Sequence, residues 1–97
     1  MSVANAKEVK EFTELCINAK NPRLITLLFN LFFTHEELEN LSLRVSIVSE
    51  LIKKEKTQRE IAKHLNVSIA KISRGSNELK RTDKKLLAYL ESHLHCK

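Results

Sequence analysis

The chain has 97 residues, a formal net charge of +5, 42% hydrophobic content, one Gly, one Pro and no Trp, which suits one domain with a modest core and disfavours a turn-rich all-β fold. No apolar run approaches a membrane span, and the N-terminus MSVANAKEVKEF lacks the apolar core of a signal peptide. Cys16 and Cys96 lie near opposite ends and make no disulfide framework, so the expectation is a single cytoplasmic domain over residues 1–97 in a reducing compartment, with no membrane partner.

Six helices are legible. The first covers about Asn5 to Ala19, with Val9, Phe12, Leu15, Cys16 and Ala19 at helical spacing. Asn21-Pro22 opens the second, because Asn caps well and Pro suits the first helical position. It continues LITLLFNLFF, apolar nearly all round. A helix without a polar face must be covered on every side, so this segment predicts an intimate dimer. Thr34 and Glu37 form a capping box for a long third helix to about Lys53, striped by Leu38, Leu41, Val45, Val48, Leu51 and Ile52.

After the short Lys53-Lys54-Glu55-Lys56 link, Thr57 and Glu60 form a second capping box. Ile61, Ala62 and Leu65 mark one helical face. Asn66-Val67-Ser68 is a turn, and Ser68 caps a fifth helix opening with Ile69, Ala70 and Ile72. Two short helices joined this tightly must cross steeply to bury a face each, which presents the start of the second to a DNA major groove. The expected helix-turn-helix spans about 57–75, with Arg74 at the end of its recognition helix. Thr82-Asp83 caps the sixth helix, which carries Leu86, Leu87, Leu90 and Leu94.

Charge follows the same division. Residues 1–43 sum to −2, residues 44–85 to +7 and the last twelve to zero. The positive charge is concentrated on the segment with the helix-turn-helix, as in a polyanion binder. The terminal HLHC, with His93, His95 and Cys96, lacks partners at zinc spacing, and no metal is expected. There is no nucleophile–base constellation and no Gly-rich phosphate loop, so an enzyme is not expected.

Through Leu38 to Lys80 the sequence resembles the tryptophan operon repressor family, most specifically in LRVSIVSELI (43–52), TQREIA (57–62) and ISRGSNELK (72–80). The resemblance implies an all-α, six-helix, intertwined homodimer that takes L-tryptophan as corepressor and binds a palindromic operator in double-stranded DNA. It also implies that Arg44 and Arg74 sandwich the indole and reach the carboxylate, which suits two planar guanidinium groups. Thr34 and the carbonyls of Leu31 and Phe33, from the second subunit, would hold the carboxylate and the ammonium. Gly75 would leave the pocket wall free of a Cβ. Each residue also has a plainer reading. Arg44 can snorkel or pair with a Glu, Gly75 can end a helix, and Thr34 is accounted for by capping.

Two departures from the family bear on the ligand. Glu78 stands where a small hydroxyl is usual, near the ligand ammonium, and either pairs with it or swings to solvent. Lys71 replaces a Thr of the recognition helix and adds charge near phosphate and the ligand wall. On the DNA side, Ile69, Ala70 and Ser73 suit thymine methyls and water-bridged contacts, and Arg59 suits a guanine edge. Gln58, Lys63, Lys71 and the Ser68 amide are candidates for phosphate. Ala62 stands where the family has a basic residue, with Lys63 adjacent. His64 receives no role. The competing functions are a constitutive helix-turn-helix DNA binder without effector response, which Glu78 and Lys71 would permit, and a basic helical module for RNA or protein. RNA is disfavoured by the scarcity of aromatics for base stacking.

Overall fold

The computed structural model describes residues 3–94, all of them helix or short connection. A 3₁₀ turn, Val3–Asn5, precedes α1 (Lys7–Ala19). Then follow α2 (Pro22–Phe32), α3 (His35–Lys53), α4 (Gln58–Leu65), α5 (Ile69–Lys80) and α6 (Lys84–Leu94). The six expected helices are present, and the differences lie at their ends. α1 starts at Lys7 rather than Asn5, because Val3–Asn5 form a 3₁₀ turn and Ala6 is extended, with φ −65° and ψ 147°.

The other N-termini follow the capping chemistry. Asn21 Oδ1 accepts from the Leu24 N–H at 2.7 Å. Thr34 and Glu37 bond reciprocally at 2.8 and 3.1 Å, and Thr57 and Glu60 at 2.8 and 3.2 Å. Asp83 accepts from Lys85 at 2.8 Å and Leu86 at 3.3 Å. Thr82 closes the preceding helix instead, its hydroxyl donating to the Glu78 carbonyl at 2.9 Å.

The largest correction concerns α5. The recognition helix does not stop at Arg74 but continues through the Arg-Gly-Ser-Asn run to Lys80. Gly75 is therefore a mid-helix residue without a positive φ, not a helix terminator. A Gly inside a helix costs about 1 kcal/mol relative to Ala. The compensation is packing, since a Cβ at Gly75 would lie 3.1 Å from Ile47 Cγ2 and 3.5 Å from Leu51 Cδ1. The bare Cα lets α5 approach α3.

The chain divides into two compact units, one ending at Leu38 and the other starting at Glu39. In the first, Phe12 meets Phe29, Phe32 and Phe33 edge-on, with ring centroids 5.5–5.6 Å apart. Phe29 stacks on Phe33 at 5.2 Å. Neither α1 nor α2 contains a buried residue, and Leu24, Leu27, Leu31 and Phe32 are exposed. In the second unit Ile47, Ile61, Ala62 and Ile72 form a sealed core, flanked by Leu43, Leu51, Leu65 and Val67. Three helices contribute to it, so α3, α4 and α5 are held as one packed head.

Candidate nucleic-acid interface and ligand cavity

The turn between α4 and α5 is built from backbone chemistry. Asn66 takes the left-handed conformation, φ 56° and ψ 49°, which Asn tolerates better than most residues. The Val67 N–H then bonds to the Ala62 carbonyl at 3.0 Å, and Ser68 Oγ accepts from the Lys71 N–H at 3.3 Å. With Ile61 and Ile72 almost wholly buried, α5 is pinned by its inner face. Ile69, Ala70, Lys71 and Arg74 of the recognition helix are exposed, as are Arg59 and Lys63 of α4. A basic rim thus surrounds a small apolar tip, the combination that positions on phosphates and reads thymine methyls.

Gln58 and Ser73 behave differently from the other expected contacts. The half-buried Ser73 hydroxyl donates to Gln58 Oε1 at 2.8 Å, joining α5 to α4. Gln58 retains its amide N–H groups as donors, while the Ser73 donor is committed inside the head. Ser68 likewise uses its side chain as a cap, consistent with the expected contact through its backbone amide.

A second brace escaped the sequence reading. Glu50 of α3 reaches Lys56 Nζ at 3.3 Å and His64 Nδ1 at 3.1 Å. His64, which received no role from the sequence, therefore ties α4 to α3. Burial pushes the Glu50 carboxyl up, but the Lys56 hydrogen bond and the charges of Lys56, Lys53 and His64 outweigh it and hold the group below its ordinary value. Hydrogen bonds from Thr57 lower Glu60 in the same way. The spacing of Glu50 to Lys53 was visible in the chain, whereas the pairing with His64, fourteen residues on, needed α4 to pack against α3.

Between α3 and α5 lies a cavity of about 550 Å³, within the roughly 300–1,000 Å³ range of small-molecule sites. Leu43, Ile47, Val48, Leu79 and Leu90 supply its apolar lining, with Asn40 and Thr82 adding polar groups. Its charged lining is Arg44 from α3 and Lys71, Arg74 and Glu78 from α5. Lys71, Arg74, Gly75 and Glu78 come together because positions three and four apart share a helix face. Among the described residues neither Arg44 nor Arg74 takes part in an ion pair, so the pairing of Arg44 with a Glu is not seen. Gly75 lines the cavity, but its missing Cβ faces Ile47 and Leu51, so its bareness serves helix approach.

The remaining expected ligand residues, Leu31, Phe33 and Thr34, belong to the N-terminal unit. Leu31 is 73% exposed on α2, Phe33 ends that helix in the aromatic cluster, and Thr34 caps α3. Among the described residues no group of His, Cys, Asp and Glu is arranged to hold a metal, and no helix is long and apolar enough to cross a membrane. His93 bonds within α6, to Ser92 and the Tyr89 carbonyl, while His95 and Cys96 of the terminal HLHC lie outside the described residues.

The profile of the Trp repressor protein family matches residues 7–94. A protein named Trp operon repressor homolog from Chlamydia caviae is 44% identical over 82 residues, covering 84% of this chain and 81% of its own length. A Vibrio campbellii protein of the same name is 42% identical over 89 residues, with 88% and 89% covered. One from Chlamydia trachomatis is 37% identical over 83 residues, with 86% and 88% covered. Matched from α1 through α6, with a helix-turn-helix at its centre, the chain belongs to the Trp repressor protein family, a family of helical transcription regulators rather than enzymes.

Proposed function

We propose that the whole chain acts as one Trp-repressor-like domain: a homodimeric, L-tryptophan-responsive repressor of the cytoplasm that binds a palindromic operator. The observation that carries this reading is the shared cavity wall. Arg44 of α3 and Arg74 of the recognition helix line one cavity, so a ligand there contacts the reading head itself. An indole stacks between the two guanidinium planes, and a carboxylate takes a charge-assisted hydrogen bond from either. A second copy of the chain covers the exposed apolar α2 and supplies Thr34 and the Leu31 and Phe33 carbonyls to the ligand.

Dimerisation matters because operator half-sites lie about one helical turn, 34–36 Å, apart, a rule drawn partly from Trp repressors themselves. Ligand fills the space behind α5 and fixes its tilt, and so the spacing of the two heads. Linkage then requires that operator DNA tighten tryptophan binding by the factor by which tryptophan tightens operator binding. On the DNA, Ile69 and Ala70 face the groove, Ser73 contributes only as an acceptor for a bridging water while its hydroxyl donates to Gln58, and Arg59 reaches a base edge. Gln58, Lys63, Lys71 and the Ser68 amide hold phosphates.

The test is fluorescence anisotropy on a tryptophan-operon promoter duplex and a random duplex, with and without L-tryptophan. Saturating L-tryptophan is expected to strengthen promoter binding selectively. Promoter affinity indifferent to L-tryptophan sinks the responsive reading and favours a constitutive DNA binder.

A further inference from the structure

α4 has two attachments to α3. One is the apolar core, through Ile61 and Ala62. The other is charged and centres on Glu50, whose side chain is only 12% exposed. Its Oε1 accepts from Lys56 Nζ at 3.3 Å, and its Oε2 lies 3.1 Å from His64 Nδ1. Lys56 belongs to the link that enters α4, and His64 to the last turn of that helix. One carboxylate of α3 thus holds α4 near both ends. Apolar burial is non-directional, whereas these bonds fix a direction at each end. α4 carries the exposed Arg59 and Lys63, so its bearing decides where those side chains point.

The two partners of Glu50 differ in kind. A lysine keeps its charge at neutral pH, but an imidazole changes charge between about pH 5 and 8. The His64 side chain is 56% exposed and can exchange its proton with water. Protonated, it offers Glu50 a cationic N–H. Neutral, it keeps the bond only in the tautomer with the proton on Nδ1, and without the charge. Glu50 itself titrates below its ordinary value and stays ionised across that range. The other charges close by do not compete for His64. Lys53 lines the same recess and Lys63 adjoins it in the chain, and both are cations. Glu60, one turn earlier, is committed to Thr57. From α6 the recess receives the apolar Leu94, and among the described residues Glu50 is its sole carboxylate.

We propose, resting on the DNA-binding reading of the helix-turn-helix, that Glu50 is a positioning residue for the DNA-reading face and that protonation of His64 tightens its hold on α4. With α4 braced, Arg59 keeps the bearing that a base edge demands. A random duplex, held through its phosphates, makes no such demand. Mild acid therefore sharpens the choice of sequence.

A double-mutant cycle over Glu50→Gln, His64→Gln and their combination tests this in the full chain. Fluorescence anisotropy measures binding to the tryptophan-operon promoter duplex and to a random duplex, at about pH 5.5 and about pH 7.5, with saturating L-tryptophan. The cycle cancels the titration of the other histidines. It also cancels direct attraction of His64 to phosphate, which survives the loss of Glu50. At the lower pH the two side chains are expected to be coupled about twofold to fivefold in promoter affinity, the range of a partly exposed pair, and at the higher pH less than about twofold. The random duplex is expected to show no coupling at either pH. Circular dichroism of the variants is expected to match wild type, because Ile61 and Ala62 keep α4 seated. Coupling that is absent, equal at the two pH values or equal on the two duplexes overturns the inference and leaves the DNA reading standing. Failure of wild type to bind either duplex overturns both.

Discussion

Along α1 and α2 every side chain keeps some contact with solvent, whereas the C-terminal unit seals Ile47, Ile52, Ile61, Ala62 and Ile72. The hydropathy of the two regions runs the other way. α2 is almost continuously apolar, while α4 and α5 carry charge at many positions. Apolar composition therefore does not locate the core of this chain. The helix-turn-helix acquires a core because three amphipathic helices converge on it with their apolar faces inward. The N-terminal helices have more apolar surface than their own unit covers, and such surface marks an interface. The head is sealed by its own core, whereas the N-terminal unit leaves open the apolar surface that the proposed dimer would cover.

The most severe way to break that contrast is Leu28→Asp in α2. In the proposed dimer Leu28 is covered, and a charge buried there without a partner costs several kcal/mol, so the variant is expected to lose the assembled fold rather than yield a stable monomer. Sedimentation and circular dichroism at micromolar concentration check this. A compact, folded monomer of wild type would remove the contrast altogether.

Ile72→Ala attacks the other side. The side chain is wholly buried, and truncation of such residues costs about 2–5 kcal/mol. Chemical denaturation is expected to show that loss, with DNA binding falling in parallel because α5 is no longer pinned. Arg74→Ala sharpens the comparison within the head. Its side chain is exposed and outside the core, so stability is expected to hold while the tryptophan response of DNA binding disappears.

Arg59→Ala is expected to cost about 1–3 kcal/mol on the specific duplex, whereas Lys71→Ala weakens all duplexes alike and flattens the salt dependence. Identical behaviour of the two variants on specific and random DNA refutes the division into base-reading and phosphate-binding residues.

The smallest effect concerns acid. Glu50 and Glu60 titrate below their ordinary value near 4.5 in the folded chain. A carboxyl lowered by folding adds stability above its unfolded pKa and loses it as pH falls through the folded one. Melting temperature is therefore expected to drop as pH falls below about 4.5, and Glu50→Gln to make that drop shallower.

Much of the head was legible because its determinants are local. The capping boxes at Thr34 and Thr57, the Asn66 turn and the Asp83 cap depend on residues two to five apart, and such pairs meet wherever a helix starts or ends. The end of α5 was not legible. Arg-Gly-Ser-Asn read as a stop, and only the approach of Ile47 to Gly75 makes a helical glycine worthwhile. The DNA-facing roles divided in the same manner. The exposure of Ile69 and Ala70 follows from helical period, whereas the Ser73–Gln58 bond joins residues fifteen apart and depends on how the helices cross.

The sequence alone was enough for the all-α class, the six helices, the helix-turn-helix and the basic character of its surroundings, because helical period, capping and net charge are written in neighbouring residues. Tertiary structure decided the rest. It brought Arg44 and Arg74 to one cavity, placed Glu50 between Lys56 and His64, and turned Gly75 from a terminator into a packing contact. Each of these joins residues from different elements, and its geometry is set by how α3, α4 and α5 bury their common core.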